Sequence, residues 1–217
     1  MKGSSLNLVN GLITEHPKLE SIIESIHQAM ALFLDTFQQS GKLLVCGNGG
    51  SCSDGEHIVG ELMKRFTLPR PIPQSMREQM AEMFGDEGNL LSSSLQGALP
   101  AISLGSQTSL LSAWANDVNA DFYFAQQVLG YGKPEDLLLG ITTSGNSTNV
   151  NYALMTAKAM GMKTIALTGR DGGRAATLAD CAVIAPDDRT FRIQEYHIAI
   201  YHLICAVVEN EIFGDLS

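Results

Sequence analysis

The most constraining feature of this sequence is a short apolar run that ends in a glycine-rich turn and is followed by a helical pattern. Residues 42–46 have the apolar character of a buried strand, and the turn at 47–51 follows directly. Apolar residues then recur at helical spacing as far as Phe66. A strand, a glycine loop and a helix in this order form the first half of a parallel βαβ unit. The sequence therefore predicts an α/β fold.

The same alternation recurs along the rest of the chain. Further strands are predicted at 98–104, 136–141, 163–167 and 181–184, and helices at 107–130, 147–160 and 191–213. Strands that alternate with helices of this length build a parallel sheet with helices on both faces. We therefore expect a three-layer α-β-α sandwich around a central five-stranded parallel sheet.

Two segments lie outside this alternation. Residues 1–40 carry apolar stripes at helical spacing, with Pro17 between them, and predict extra N-terminal helices that cover the sheet or pack on a neighbouring subunit. Residues 69–97 begin with three prolines and continue as a Met-rich possible helix at 76–84. This stretch is too short for a core of its own. Residues 1–217 are thus predicted to be one domain with an insertion at 69–97.

The composition argues against several classes of function. The formal charge of -9 opposes a general attraction to phosphate backbones, so we expect no direct nucleic-acid binding. No window approaches the roughly 20 apolar residues of a membrane span, and no export signal is recognisable. The four cysteines lack the spacing of a disulfide framework or of a CxxC pair. We expect a cytoplasmic protein without a membrane partner.

Two polar loops carry the chemistry of an anion site. The loop at 47–51 presents backbone N–H groups at the positive end of a helix, and the loop at 142–147 supplies four hydroxyls around one glycine. Neither loop contains the lysine of a nucleotide P-loop, and Cys52 stands where a dinucleotide fingerprint has its third glycine. A sugar monophosphate bound by hydroxyls and N–H groups fits this pattern better.

Candidates for proton transfer come from two helices. His57 and Glu61 share a helix face, and the last helix adds Gln194, His197 and His202 in apolar surroundings. Moving a carbonyl between adjacent sugar carbons requires a base and an acid, and Glu61 and His202 are the best pair. A zinc ion bound by His57, Glu61, Gln194 and His202 would polarise the carbonyl. Gln194 and His202 lie roughly 12 Å apart along a helix axis, so one ion could bind both only through long side-chain reach. Alternatively, neighbouring subunits would share the ligands.

Six motifs occur in an order that resembles one known family. They are CGNGGS at 46–51, HxxxEL at 57–62, ANDV at 115–118, TTSGNS at 142–147, LTGRDGG at 167–173 and RIQEYHIxxxH at 192–202. Together they resemble the phosphoheptose isomerases of the sugar-isomerase (SIS) fold. The resemblance implies interconversion of sedoheptulose 7-phosphate and D-glycero-D-manno-heptose 7-phosphate through an enediol. It also implies a cytoplasmic homotetramer that supplies heptose for lipopolysaccharide.

The resemblance further implies roles for individual residues. Glu61 would be the base and His202 the acid, and zinc would be held by His57, Glu61, Gln194 and His202. The substrate would be bound by Asn48, Gly49, Gly50, Ser51, Asn116, Asp117, Thr142, Thr143, Ser144, Ser147 and Gln194. The sequence departs from the family pattern in the long segment at 69–97 and in Phe191, where some members have a polar residue.

Other functions share this fold. A non-catalytic SIS relative that binds the replication initiator resembles this chain at 209–213, and an isomerase of another sugar phosphate is also possible. A sugar-phosphate-sensing domain of a regulator is the third alternative. Glu61, Gln194 and His202 favour an enzyme, because function is judged from the site. Residues 1–40 lack a basic helix-turn-helix pattern, which argues against the regulator.

Overall fold

The computed structural model describes residues 1–214 and shows a fully parallel sheet with the strand order β2-β1-β3-β4-β5. Its strands are β1 (Leu43–Gly47), β2 (Ala101–Ser103), β3 (Leu137–Ile141), β4 (Lys163–Gly169) and β5 (Cys181–Ala185). Each strand lies within two residues of a predicted segment or inside it. The predicted five-stranded parallel sheet is confirmed.

Both faces of the sheet are covered, which explains why its central strands are continuous apolar runs rather than alternating ones. In β1, Leu43 and Val45 pack into one hydrophobic core, and Leu44 and Cys46 pack into another on the opposite face. All five residues of β1 and all five of β3 are buried. The sheet is therefore the middle layer of the predicted three-layer sandwich.

The helices form the outer layers. They are α1 (Gly3–Glu15), α2 (Ile23–Gln38), α3 (Gly50–Met63), α4 (Gln74–Ser94), α5 (Thr108–Asp117), α6 (Tyr123–Tyr131), α7 (Thr148–Ala159), α8 (Gly173–Leu178) and α9 (Thr190–Phe213). Helices α1, α2, α3 and α9 contribute to the core on one face, and α6, α7 and α8 to the core on the other. Within residues 1–214, every helix is too short or too polar to cross a membrane.

The prediction of one helix over 107–130 is wrong. The backbone leaves the helical region at Val118, where φ is -130° and ψ is -86°. The side chain of Asn119 then accepts a hydrogen bond from the N–H of Asp121 at 2.8 Å. Such a local bond competes with helix continuation, and the chain makes a short 3₁₀ turn before α6 begins.

The segment predicted as an insertion is a helical hairpin. Helix α4 is interrupted at Gly85, where φ is +56°, and a Cβ on Gly88 would collide with the carbonyl oxygen of Met80. The second half therefore turns back against the first. The two ends of the hairpin are tied together, because the N–H of Gly97 donates to the carbonyl of Arg70 at 2.7 Å.

The sheet has a topological switch point between β1 and β3. The chain passes from β1 to β2 on one side and then returns to place β3 on the other side. Ligand sites of open parallel sheets lie beyond the carboxyl ends of strands at such a point. The two loops predicted to bind phosphate, at 47–51 and 142–147, follow these two neighbouring strands.

Candidate active site

The loop after β1 turns sharply into α3. Gly49 adopts a φ of +55°, a conformation that favours glycine. A Cβ on Gly47 would lie 2.7 Å from the backbone oxygen of Ser51, so the turn also needs glycine there. Asn48, Gly49 and Gly50 are exposed, and Ser51 is buried. The loop thus presents open backbone at the start of a helix, as an anion site requires.

The loop after β3 carries its hydroxyls at different depths. Thr142 is buried, and its hydroxyl lies 2.9 Å from that of Ser147. Ser147 precedes α7 but makes no side-chain cap, because its hydroxyl faces Thr142. Thr143 and Ser144 are half-buried. Gly145, with a φ of +68°, allows this loop to pack against the loop after β4.

A pair of amide side chains joins the two loops. Asn48 and Asn149 exchange two hydrogen bonds, each of 2.9 Å, between the β1 loop and the first turn of α7. Asn149 was not among the predicted site residues, although it lies two residues after the TTSGNS motif. This contact links the segments that follow the two neighbouring strands β1 and β3.

Helices α3 and α9 run side by side from this edge of the sheet. A side chain at Gly50 would collide with Nε2 of Gln194, and seven residues further along α3, His57 lies against His202. Seven residues correspond to about 10 Å along a helix axis. Gln194 is therefore placed at the β1 loop, and His202 about two turns farther along the same pair of helices.

His57, Glu61 and His202 form one group, which we name the proton-transfer cluster. Nε2 of His57 lies 3.3 Å from Oε1 of Glu61 and 3.4 Å from Nε2 of His202. The Glu61 side chain is only 13% exposed, and its second oxygen lies 3.4 Å from Nζ of Lys64. The structure thus brings together the two residues predicted to be base and acid, with His57 between Glu61 and His202.

The environment of His202 favours the neutral form of its imidazole. Burial lowers its pKa below the ordinary value, the neighbouring His57 lowers it further, and Glu61 partly opposes them. A neutral imidazole carries one proton and one free lone pair. It can therefore give a proton to one sugar oxygen and accept one from another.

His202 also borders an open groove of about 600 Å³ between α1 and α9. Phe66 and Thr67 line the same groove, and the ring of Phe66 lies 5.5 Å from the imidazole of His202. His16 contributes from the end of α1. The cluster therefore has free space beside it.

Two predicted substrate residues lie on α5, a helix that contributes no member of the proton-transfer cluster. Asn116 and Asp117 occupy the exposed end of α5, and the amide of Asn116 donates to the Asp117 carboxylate at 2.8 Å. His197, the third polar residue that the sequence places on the last helix, is fully buried and pairs through Nε2 with the carbonyl of Thr168 at 2.9 Å. Burial lowers the pKa of His197 to about 4, so it is a neutral core residue.

Two residues next to the cluster were missed by the sequence analysis. The hydroxyl of Tyr201 lies 2.9 Å from Nδ1 of His57 and 3.5 Å from Oδ1 of Asp54. Asp54 precedes His57 by three residues, which places them on one helix face and was a usable signal. Tyr201 gave no signal beyond its position next to His202.

The chain is similar to known proteins of one family. Residues 78–169 match the SIS domain family. The chain is 43% identical to the phosphoheptose isomerase of Helicobacter pylori over 192 residues, which are 88% of this chain and 86% of that protein. It is 37% identical to that of Akkermansia muciniphila over 96% of both chains. The phosphoheptose isomerase structure from Neisseria gonorrhoeae has a TM-score of 0.71 and 33% identity, over 95% of this chain and 94% of that one.

Proposed function

The chain belongs to the phosphoheptose isomerase family, and from this premise we propose that it interconverts sedoheptulose 7-phosphate and D-glycero-D-manno-heptose 7-phosphate. It is a sugar-phosphate isomerase, and the alternative of a non-catalytic binding protein is not favoured. The observation that carries the proposal is the separation of two chemistries along α3 and α9. The anion loops lie at the start of α3, and the proton-transfer cluster lies about two turns away.

This separation suits a substrate whose phosphate and reacting carbons are at opposite ends. In a heptose 7-phosphate the phosphate is on C7, and the carbonyl moves between C1 and C2. The phosphate would be bound by the N–H groups of Gly49 and Gly50, since that of Ser51 already donates to the carbonyl of Asn48. The hydroxyls of Thr142, Thr143, Ser144 and Ser147 would complete the site. The sugar chain would then extend along the two helices toward Glu61 and His202.

The reaction needs two proton transfers at carbon and two at oxygen. Starting from the ketose, Glu61 removes a proton from C1 while His202 donates one to O2, which gives the enediol. Glu61 then returns its proton to C2, and His202 takes the proton of O1, so that C1 becomes the aldehyde carbon. Both groups end in their starting states. General acid–base steps of this kind contribute about 10²–10⁴-fold each.

The donor types of the proton-transfer cluster fit zinc, which the family resemblance implies. Two ligands of a tetrahedral zinc with bonds of about 2.0–2.1 Å are roughly 3.3 Å apart, close to the 3.3 and 3.4 Å seen here. The fit is pairwise only, because within residues 1–214 no group of three or more His, Cys, Asp or Glu is arranged to hold a metal ion. We propose His57, Glu61 and His202 as ligands. Gln194, predicted as the fourth, lies about two turns away in the same chain, so it would complete the site only from a neighbouring subunit. Bound zinc would polarise the sugar carbonyl.

Elemental analysis tests the zinc proposal without an activity measurement. Protein purified without a chelator should contain about one zinc per chain, and His57→Ala should lose most of it. Cys52→Ser provides the control, because Cys52 is a possible zinc donor on the same helix but outside the cluster. A zinc-free wild-type protein, or full zinc content in His57→Ala, would remove the metal from the proposal.

The proposal also includes a cytoplasmic homotetramer. All four cysteines are free in the described chain, as expected in a reducing compartment. Leu6 and Leu8 on α1 are 47% and 39% exposed, and a subunit contact on this helix would cover them. Light scattering on the purified protein should give four times the mass of 23.3 kDa; a monomer would contradict this part.

The function is tested with a panel of ketose phosphates. Sedoheptulose 7-phosphate should give an aldose product detectable by NMR, faster than shorter ketose phosphates. In D₂O the aldose should carry deuterium at C2 if Glu61 exchanges its proton with solvent before returning it. Absence of aldose from every ketose would favour a silent binding protein, and preference for a shorter ketose would identify another sugar-phosphate isomerase.

A further inference from the structure

We propose that Tyr201 is a positioning residue, whose hydroxyl, held next to Asp54, fixes the His57 ring so that Nε2 faces Glu61 and His202. The inference rests on the proposed function, because that function gives the proton-transfer cluster its role. It assigns a role to a residue that never reaches the substrate itself.

The His57 ring needs such a fixed point. Its side chain is 46% exposed, so packing covers only part of the ring. Rotation about the last side-chain bond of histidine is broad and roughly two-fold, so two ring orientations related by a half-turn fill nearly the same space. In only one of these two orientations does Nδ1 contact the Tyr201 hydroxyl while Nε2 faces Glu61 and His202.

Tyr201 itself is rigidly held. It is 3% exposed and belongs to the hydrophobic core between α9 and the sheet. Its ring lies 5.5 Å from the His57 ring at an angle of 74° and 4.9 Å from the His202 ring at 82°. The Tyr201 ring therefore makes T-shaped contacts with both imidazoles, and its hydroxyl reaches Nδ1 of His57. A buried aromatic residue of this kind is a suitable anchor for a half-exposed ring.

The hydroxyl is a departure from what packing requires. Residues 203–208 that follow on α9 are all apolar, and a phenylalanine would fill the same volume at position 201. A buried hydroxyl that lacks partners is costly, so its presence needs a compensating contact. The contact to His57 supplies it at 2.9 Å.

Asp54 supports the hydroxyl from the other side. It is 8% exposed, its Oδ1 lies 3.5 Å from the Tyr201 oxygen, and its Oδ2 is buried without a hydrogen-bond partner among residues 1–214. A phenol oxygen has one proton and two lone pairs, so it can donate to one neighbour and accept from the other. The buried carboxyl, the phenol and the imidazole thus form one chain of contacts that ends at the cluster.

The test compares two substitutions that each remove one buried hydroxyl. Tyr201→Phe should lower kcat by about 10–100-fold, the loss typical for removing a contact that orients a functional histidine, while KM changes less than about threefold. Tyr123→Phe is the matched control. Tyr123 is 2% exposed and its hydroxyl bonds the carbonyls of Leu104 and Gln107 at 2.7 and 3.1 Å, away from the cluster. Its kcat should stay within about twofold of the wild type.

A spectroscopic measurement separates positioning from simple destabilisation. In protein with ¹⁵N-labelled histidine, the ring signals of His57, assigned with His57→Asn, should shift in Tyr201→Phe and remain in place in Tyr123→Phe. Unchanged His57 signals, or a kcat within twofold of the wild type, would overturn the inference. If the wild type fails to isomerise any sugar phosphate, the proposed function fails, and the ring signals alone decide whether Tyr201 orients His57.

Discussion

The seam between α3 and α9 carries two polar clusters with opposite character. At the end of α3, Arg70 and Glu209 form an ion pair of 2.7 Å in which both side chains are fully buried; we name these two residues with Thr67 the buried ion-pair cluster. About two turns back along α9, from Glu209 to His202, lies the proton-transfer cluster, where His57 is 46% exposed. Along the same seam, the charged groups of one cluster are thus fully buried, whereas the other cluster is partly exposed to solvent.

The difference lies in how completely the polar atoms are satisfied. Glu209 accepts hydrogen bonds from the N–H groups of Phe66, Thr67 and Leu68, from the Thr67 hydroxyl and from Arg70. Between the members of the proton-transfer cluster, the contacts are longer, at 3.3 and 3.4 Å. A buried network in which every polar atom has a hydrogen-bond partner is a rigid support. A group that must exchange protons needs a lone pair or a proton that is not already engaged in a strong hydrogen bond.

The two clusters are physically connected. The guanidinium of Arg70 donates to the backbone carbonyls of Leu62 at 2.7 Å and of Glu61 at 3.0 Å. These carbonyls belong to the last turn of α3, where the helix has no further N–H partners to offer them. The buried ion-pair cluster therefore holds in place the backbone that carries the proposed base.

The largest expected effect is on stability, at the buried ion-pair cluster. Arg70→Met should lower the free energy of unfolding by about 3–5 kcal/mol, because it leaves the buried Glu209 carboxylate without its counter-charge. Urea unfolding measures it. Arg192→Met is the control, since the Arg192–Glu195 pair is about half exposed and worth less than about 1 kcal/mol. Equal costs for both variants would show that burial does not distinguish the two pairs.

The next effect is on catalysis, at the proton-transfer cluster. Glu61→Gln should lower kcat by about 100-fold or more, which equals roughly 2.7 kcal/mol of transition-state stabilisation, because the amide cannot take the C1 proton. Its free energy of unfolding should change by less than about 1 kcal/mol. Glu56→Gln on the same helix, where Glu56 is exposed, should keep the wild-type kcat. A Glu61→Gln protein that is folded and active would remove Glu61 from the mechanism.

The sequence predicted the parts of this molecule that depend on local patterns. Apolar runs and glycine turns predicted all five strands and the position of both turns at the ends of β1 and β3, because strand burial and helix starts have short-range signatures. Spacing also placed His57 and Glu61 on one face. The break at Asn119 was missed, since one side-chain hydrogen bond overrode an apolar pattern that continued through it.

Contacts between distant segments could not be predicted in the same way. Arg70 and Glu209 are 139 residues apart, and His57 and Tyr201 are 144 apart. Their pairing depends on the position and rotation of α9 relative to α3. Packing of the whole core sets this arrangement, and no local sequence pattern encodes it. The motif resemblance named Glu61 and His202, but the supporting residues Asp54, Tyr201 and Asn149 required the structure.

A pH effect follows from the buried ion-pair cluster. Burial raises the pKa of Glu209, but hydrogen bonds from the Thr67 hydroxyl, from the N–H groups of Phe66 and Thr67, and from Arg70 outweigh it, so the pKa lies below its ordinary value. A carboxyl with a lowered folded-state pKa stabilises the fold fully above its unfolded pKa of about 4.3, and loses this contribution as the pH falls further.

The free energy of unfolding of the wild type should therefore exceed that of Glu209→Gln most at pH 7. The difference should narrow as the pH is lowered below about 4.3. Urea unfolding at several pH values measures it, with Glu195→Gln as an exposed control whose difference from the wild type stays small throughout. A difference between wild type and Glu209→Gln that is constant with pH would mean that Glu209 is not ionised in the fold.

The smallest expected effect separates two glycines of α3. A Cβ on Gly60 meets open space, so Gly60→Ala should raise the free energy of unfolding by about 0.5–1 kcal/mol and leave KM unchanged. A Cβ on Gly50 would displace Nε2 of Gln194, which is the end of a flexible side chain, so Gly50→Ala should fold normally but raise KM by about threefold to tenfold, since about 1 kcal/mol of binding corresponds to fivefold. Equal KM values for the two variants would show that Gln194 at the β1 loop has no part in substrate binding. The packed pair α3 and α9 would then contribute to catalysis through the proton-transfer cluster and not through Gln194.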